Sequence, residues 1–106
     1  MAQWHKLVTV DEISEGRILG QTAAGVPLIL IRTPSGIRCF YDLCSHQDVR
    51  LSQFGMIRGN ELVCNAHGGS FGMADGAPRC APATKGLIAY ETKVEDGWVY
   101  AFVPAE

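Results

Sequence analysis

The chain carries two tight thiol–imidazole pairs, Cys44-Ser45-His46 and Cys64-Asn65-Ala66-His67, with 17 residues between His46 and Cys64. This spacing constrains the fold more than any other feature. A stretch of that length has room to run out, turn and come back, which would set the two pairs on neighbouring loops. Thiolate and neutral imidazole are the side chains best suited to soft and borderline metals. Four of them in two close pairs read as a metal site. Zinc fingers usually place like ligands together in one pair. Here each pair is mixed, so each loop offers one sulfur and one nitrogen.

The mixture has a geometric consequence. Residues two apart in an extended segment lie on the same side, roughly 6.5 Å apart. One loop then spans a two-iron unit, with its sulfur on one iron and its nitrogen on the other. Two such loops give one iron two thiolates and the other two imidazoles, the ligand set of a Rieske 2Fe–2S centre. A tetrahedral zinc site on the same four residues is the rival reading. Four unrelated loop residues are the blander one, since short motifs match by chance.

Composition narrows the function classes. The 106 residues suit a single domain, and 47% apolar residues are enough for one real core. With 19% charged residues and a net charge of −2, there is no case for nucleic-acid binding. No apolar run reaches the roughly 18 residues of a membrane span. Residues 1–10 show no basic stretch followed by an apolar one, so no signal peptide is expected and the chain reads as cytoplasmic. A reducing cytosol argues against disulfides. With Cys44 and Cys64 used as ligands, Cys39 sits in an apolar stretch and is expected to be a small buried hydrophobe. Cys80 is expected in a loop, and His5 as a surface or packing residue.

Apolar patterning and turn signals predict β structure throughout. Strands are expected over residues 6–10, 17–19 and 26–31, with a turn or single helical turn at 11–16. The run 26–31 reads as a buried strand that pairs with 37–41 across Thr33-Pro34-Ser35-Gly36. A strand over 87–94 and another over 98–103 flank Glu95-Asp96-Gly97, a strong hairpin signal. Trp98, Tyr100 and Phe102 form an aromatic stripe at period two, read as core or sheet face with no functional role. Between these regions, residues 42–75 hold one evident element, a hairpin with its turn at Gly59-Asn60. It would hold the two ligand loops side by side, and a metal would clamp an insert whose own core is thin.

These residues together resemble the Rieske iron–sulfur family. The resemblance rests on C-x-H, 17 residues, C-x-x-H, then Gly68, Gly69 and Phe71, and on a later proline-containing segment, Asp75-Gly76-Ala77-Pro78 and Ala81-Pro82-Ala83. It implies one Rieske-type 2Fe–2S cluster, with Cys44 and Cys64 on one iron and His46 and His67 on the other. It also implies an all-β fold of three antiparallel sheets, in which a cluster-binding subdomain at about 42–75 is inserted into a base within a single domain, 1–106.

The resemblance is to soluble Rieske-type ferredoxins rather than to respiratory Rieske proteins. The respiratory branch has an extra cysteine in each ligand loop, where this chain has Val49 and Ala66, and hydroxyl residues where it has Gly69 and Phe71. Without those donors, added negative charge on the cluster is less welcome, so a potential near the low end of the Rieske range, about −150 mV, is expected. The implied function is single-electron transfer from a flavin-containing, NAD(P)H-dependent ferredoxin reductase to a terminal ring-hydroxylating oxygenase, with no catalytic residues of its own. A small Rieske-like subunit of an assimilatory nitrite reductase is the alternative, and a zinc-stabilised binding module a third.

Overall fold

The computed structural model describes residues 2–33, 36–42, 50–64, 70–73, 78–80 and 87–104. Among the described residues, eleven strands form three antiparallel sheets, as the resemblance implies.

The first sheet has the order β1 (Ala2–Thr9), β11 (Trp98–Pro104), β10 (Thr92–Glu95). Its β10–β11 hairpin turns at Asp96 and Gly97, with φ of 52° and 79°. Positive φ at both central residues is what a tight two-residue hairpin requires. Period two sends Val99, Ala101 and Val103 into the core. The aromatic stripe therefore lies on the outer face of the sheet. There Lys6 stands 4.1 Å over the Trp98 ring, Lys93 stands 4.5 Å over Trp4, and Trp4 meets Phe102 at 5.1 Å.

The second sheet has the order β2 (Ile18–Ala23), β3 (Val26–Thr33), β4 (Gly36–Tyr41), β9 (Ala89–Tyr90). Leu28, Ile29, Leu30 and Ile31 are all completely buried. A strand covered on both faces needs a continuous apolar run rather than alternation. Leu28 and Leu30 join the core beneath the first sheet, with Val99 and Val103. Ile29 and Ile31 join a second core, with Leu62 and Phe71. The expected buried strand is thus the wall between two cores.

The third sheet has the order β5 (Gly55–Arg58), β6 (Glu61–Cys64), β7 (Ser70–Gly72), β8 (Pro78–Cys80). Its β5–β6 hairpin turns at Gly59-Asn60, as the sequence predicts. A short helix, α1 (Leu51–Phe54), leads directly into β5.

Several elements differ from expectation. The first strand begins at Ala2, and Val10 opens a 3₁₀ turn instead of closing the strand. Strand β2 continues to Ala23 and joins β3 through Ala24-Gly25, both with positive φ. The strand expected over 87–94 is two: Ala89 pairs with Phe40 of the second sheet, and from Thr92 the chain pairs with β11 of the first. The switch falls at Glu91, where the sequence carries no Gly or Pro to announce it; the Glu91 carbonyl still accepts from the Phe102 N–H at 2.9 Å. Strands β7 and β8 and helix α1 are three or four residues long, too short for a periodic signal. Strand β8 lies beyond residue 75, the expected limit of the insert.

Candidate metal centre

Of the four candidate ligands, Cys64 is described and Cys44, His46 and His67 lie outside the described residues. So do Gln47, Asp48, Val49, Ala66, Gly68, Gly69 and Pro82. The segments that carry both loops are described on either side.

Cys64 is the last residue of β6 and is completely buried. It sits in the second core, among Leu51, Leu62 and Phe71. Leu62 and Phe71 are cross-strand partners, so the β6–β7 pair builds an apolar floor under the point where the second ligand loop departs. Phe71 is a packing residue, as expected, and at four positions beyond His67 it presents a ring and no hydroxyl. Ser70 pairs with Val63, and its hydroxyl is buried with no hydrogen-bond partner among the described residues.

The described residues on either side of Cys44 and His46 are tied to one another. Asp42 follows β4 and is 3% exposed. Its N–H donates to the Pro27 carbonyl at 3.0 Å, which fixes it to β3. A buried carboxylate is costly unless it is hydrogen-bonded and paired. The Ser52 N–H donates to one Asp42 oxygen at 2.8 Å, and the Ser52 hydroxyl donates to the other at 2.5 Å. Arg50 Nη1 lies 3.7 Å from the carboxylate, from a half-exposed position. Residues 42 and 52 are therefore held together, and Cys44 and His46 fall between them.

Helix α1 is seated by two close approaches. A Cβ on Gly20 of β2 would lie 3.1 Å from the Ser52 Cβ. A Cβ on Gly55 would lie 2.5 Å from the Leu51 carbonyl oxygen and 2.9 Å from Ile18 Cδ1. The Gly55 N–H caps α1 by donating to that same Leu51 carbonyl. Gly55 is also the register partner of Cys64. These residues carried no chemical motif, so sequence reading passed over Asp42, Ser52 and Gly55. The available signals were an acid two residues before Cys44 and a glycine immediately before the predicted hairpin.

Cys39 is buried in the base core, as expected, and is a free thiol. Burial pushes its thiol up to about 12, so it stays protonated at neutral pH and is a poor metal ligand. Burial also raises the phenol of its β9 neighbour Tyr90, with Cys39 and Tyr41 adding to the shift. The Cys80 backbone pairs with Ser70 in β8 rather than lying in a loop; its side chain lies outside the described residues. His5 is half-buried in β1 opposite Ala101, with its Nε2 buried and unpartnered, which makes it a packing histidine.

The donor set and its setting suit an iron–sulfur cofactor. A buried thiol on an apolar floor is shielded from water.

A family model described as Rieske [2Fe-2S] domain matches residues 3–91. The anthranilate 1,2-dioxygenase ferredoxin subunit of Burkholderia cepacia is 33% identical over 99 residues, covering 93% of this chain and 91% of that protein. The ferredoxin component of the naphthalene 1,2-dioxygenase system of Pseudomonas aeruginosa is 36% identical over 93 residues, covering 88% of each. A chain in the solved complex of reduced oxygenase and oxidized ferredoxin in carbazole 1,9a-dioxygenase superposes with a TM-score of 0.87 at 29% identity. That superposition covers 97% of this chain and 95% of the other.

Proposed function

The chain belongs to the Rieske [2Fe-2S] family, and from that premise we propose that it is the ferredoxin of an aromatic-ring dioxygenase system. It carries single electrons from a flavin-containing, NAD(P)H-dependent reductase to a terminal ring-hydroxylating oxygenase. The carrying observation is the match to dioxygenase ferredoxins along about nine-tenths of both partners' lengths. It favours the shuttle over the nitrite reductase subunit and over a zinc module. The role is electron transfer, not catalysis. The chain acts as one domain, with the cluster carried by the insert.

The ligands in this reading are Cys44, His46, Cys64 and His67. Cys44 and Cys64 would hold one iron and His46 and His67 the other, and the bound cluster would supply one-electron chemistry. The residues of the chain do the rest. Strand β6 delivers Cys64 to the end of the insert, and Leu62 and Phe71 keep water from beneath it. Phe71 offers no hydroxyl that would stabilise added charge, which supports a low potential. Among the described residues no helix is long and apolar enough to cross a membrane. The cytoplasm, where NAD(P)H feeds such a system, is the proposed location.

Two measurements test this. Reduced protein should give a Rieske EPR signal with a midpoint near −150 mV; a midpoint above zero overturns the low-potential reading. Reconstitution with a dioxygenase reductase and oxygenase should then support NAD(P)H-dependent turnover. A protein that binds zinc, or that fails to couple any such reductase to an oxygenase, overturns the function.

A further inference from the structure

The neck of the first ligand loop and the strand of the second meet in one small element. Asp42 is fixed to β3 through its N–H and to α1 through two hydrogen bonds from Ser52. Three residues after Ser52, α1 is capped at Gly55, where no side chain fits between the Leu51 carbonyl and Ile18. Gly55 pairs with Cys64. A continuous path therefore runs from the segment before Cys44, through the carboxylate of Asp42 and the helix, to Cys64. Both ends rest on the base, at Pro27 and at Ile18.

A short helix has little stability of its own. If α1 served only to connect β4 to β5, a buried carboxylate at its start would be a poor choice, because an apolar contact carries no desolvation cost. Its two charge-assisted hydrogen bonds do something apolar contact cannot: they fix direction as well as distance. Ligating side chains need that kind of support, since a site built on loops is only as well placed as its supporting shell.

We propose that Asp42 is a positioning residue for the cluster, clasping the first ligand loop through Ser52 to the same helix that Gly55 joins to the strand of Cys64. The proposal rests on the reading that Cys44, His46, Cys64 and His67 hold the cluster. The clasp then ties Asp42, two residues before Cys44, to the helix that leads into the strand paired with Cys64.

The test compares holoprotein carrying Ser52→Ala, Asp42→Asn or Asp42→Ala with wild type and with Thr9→Ala. Thr9 bonds Glu12 at the end of β1, in the first sheet, and controls for general loosening. The readouts are release of iron to a chelator, followed in the visible band, and the spread of g values in the reduced EPR signal. Release should quicken by roughly tenfold in Asp42→Asn, the factor one charge-assisted hydrogen bond can supply. It should quicken several-fold in Ser52→Ala, which keeps the charge, and most in Asp42→Ala, with a broadened signal in all three. Thr9→Ala should behave as wild type. If Asp42→Ala does not fold, the two milder variants carry the comparison. Unchanged release in both of those, or equal acceleration in Thr9→Ala, overturns the clasp. Acceleration in Asp42→Asn with none in Ser52→Ala assigns the effect to charge and overturns it too. A wild-type protein without a Rieske signal overturns the cluster reading itself, and the clasp falls with it.

Discussion

The base and the insert differ in how much strand each has to work with. In the base, β1 and β3 run eight residues and β11 seven. Their buried faces close a core that includes Leu28, Leu30, Val99 and Val103. In the insert no strand exceeds four residues among those described. Its apolar side chains, Leu51, Leu62 and Phe71, turn toward Ile29 and Ile31 of β3 rather than toward a core of their own. Small units of this kind commonly need a metal or another staple to complete their stability. The comparison separates two sources of order: burial organises the base, while the insert borrows one wall from the base and, on the proposed ligand set, completes its order by ligation.

The sharpest way to break that comparison is to remove Cys64, one of the proposed ligands. Cys64→Ala should abolish the Rieske visible and EPR signature. Both tryptophans, Trp4 and Trp98, lie in the first sheet of the base, so their fluorescence reports the base alone. Its urea transition should move little in the variant. A base that unfolds together with the loss of the cluster would show that the two regions are one cooperative unit.

Next in size is the shared wall. Phe71 is completely buried against the face of β3 that carries Ile29 and Ile31. Phe71→Ala should cost about 3–5 kcal/mol. Urea titration followed by the visible band should reveal most of that loss. The tryptophan transition should shift less, because among the described residues the core beneath the first sheet contains none from the insert.

A third effect belongs to the base alone. Burial raises the Cys39 thiol from 9.0 to about 12. The stability gained by burying the neutral thiol is complete below pH 9. It falls as pH rises from 9 toward 12, because the unfolded chain ionises there and the folded chain does not. The slope is about 1.4 kcal/mol per pH unit. Cys39→Ala should flatten that part of the alkaline stability curve. An unchanged slope would show that the loss begins elsewhere, with the insert the first candidate.

The same division explains what was legible in the sequence. Long elements with strong patterning were readable: the continuous apolar run of β3, the Asp96-Gly97 hairpin, and the Gly59-Asn60 hairpin that spans the ligand gap. The four ligand candidates were proposed from residue type and spacing, and the family match covers the stretch that holds them. The elements that were missed are those whose cause is tertiary. Nothing local tells Glu91 to leave one sheet for another; the pairing partners β4 and β11 decide it. Strands β7 and β8 are too short to carry a period. Helix α1 depends on a carboxylate ten residues before Ser52 and on space at Gly20 and Gly55, and neither registers in propensity.

The smallest expected effects come from placing one methyl group in each region. Gly97 has a φ of 79° and open space around it, so Gly97→Ala meets only the backbone penalty. That penalty is about 1–2 kcal/mol, and it should appear in the tryptophan transition with the EPR signal untouched. Gly55 has an ordinary φ but no room, so Gly55→Ala must move either the Leu51 carbonyl or Ile18. Overpacking of this kind costs about 1–3 kcal/mol, a similar total with a different destination. Because Gly55 is the register partner of Cys64, its cost should show as a broadened EPR signal and faster iron release. Equal spectroscopic responses from the two variants would mean that strain travels freely between base and insert, and the two regions could not then be treated as separately ordered.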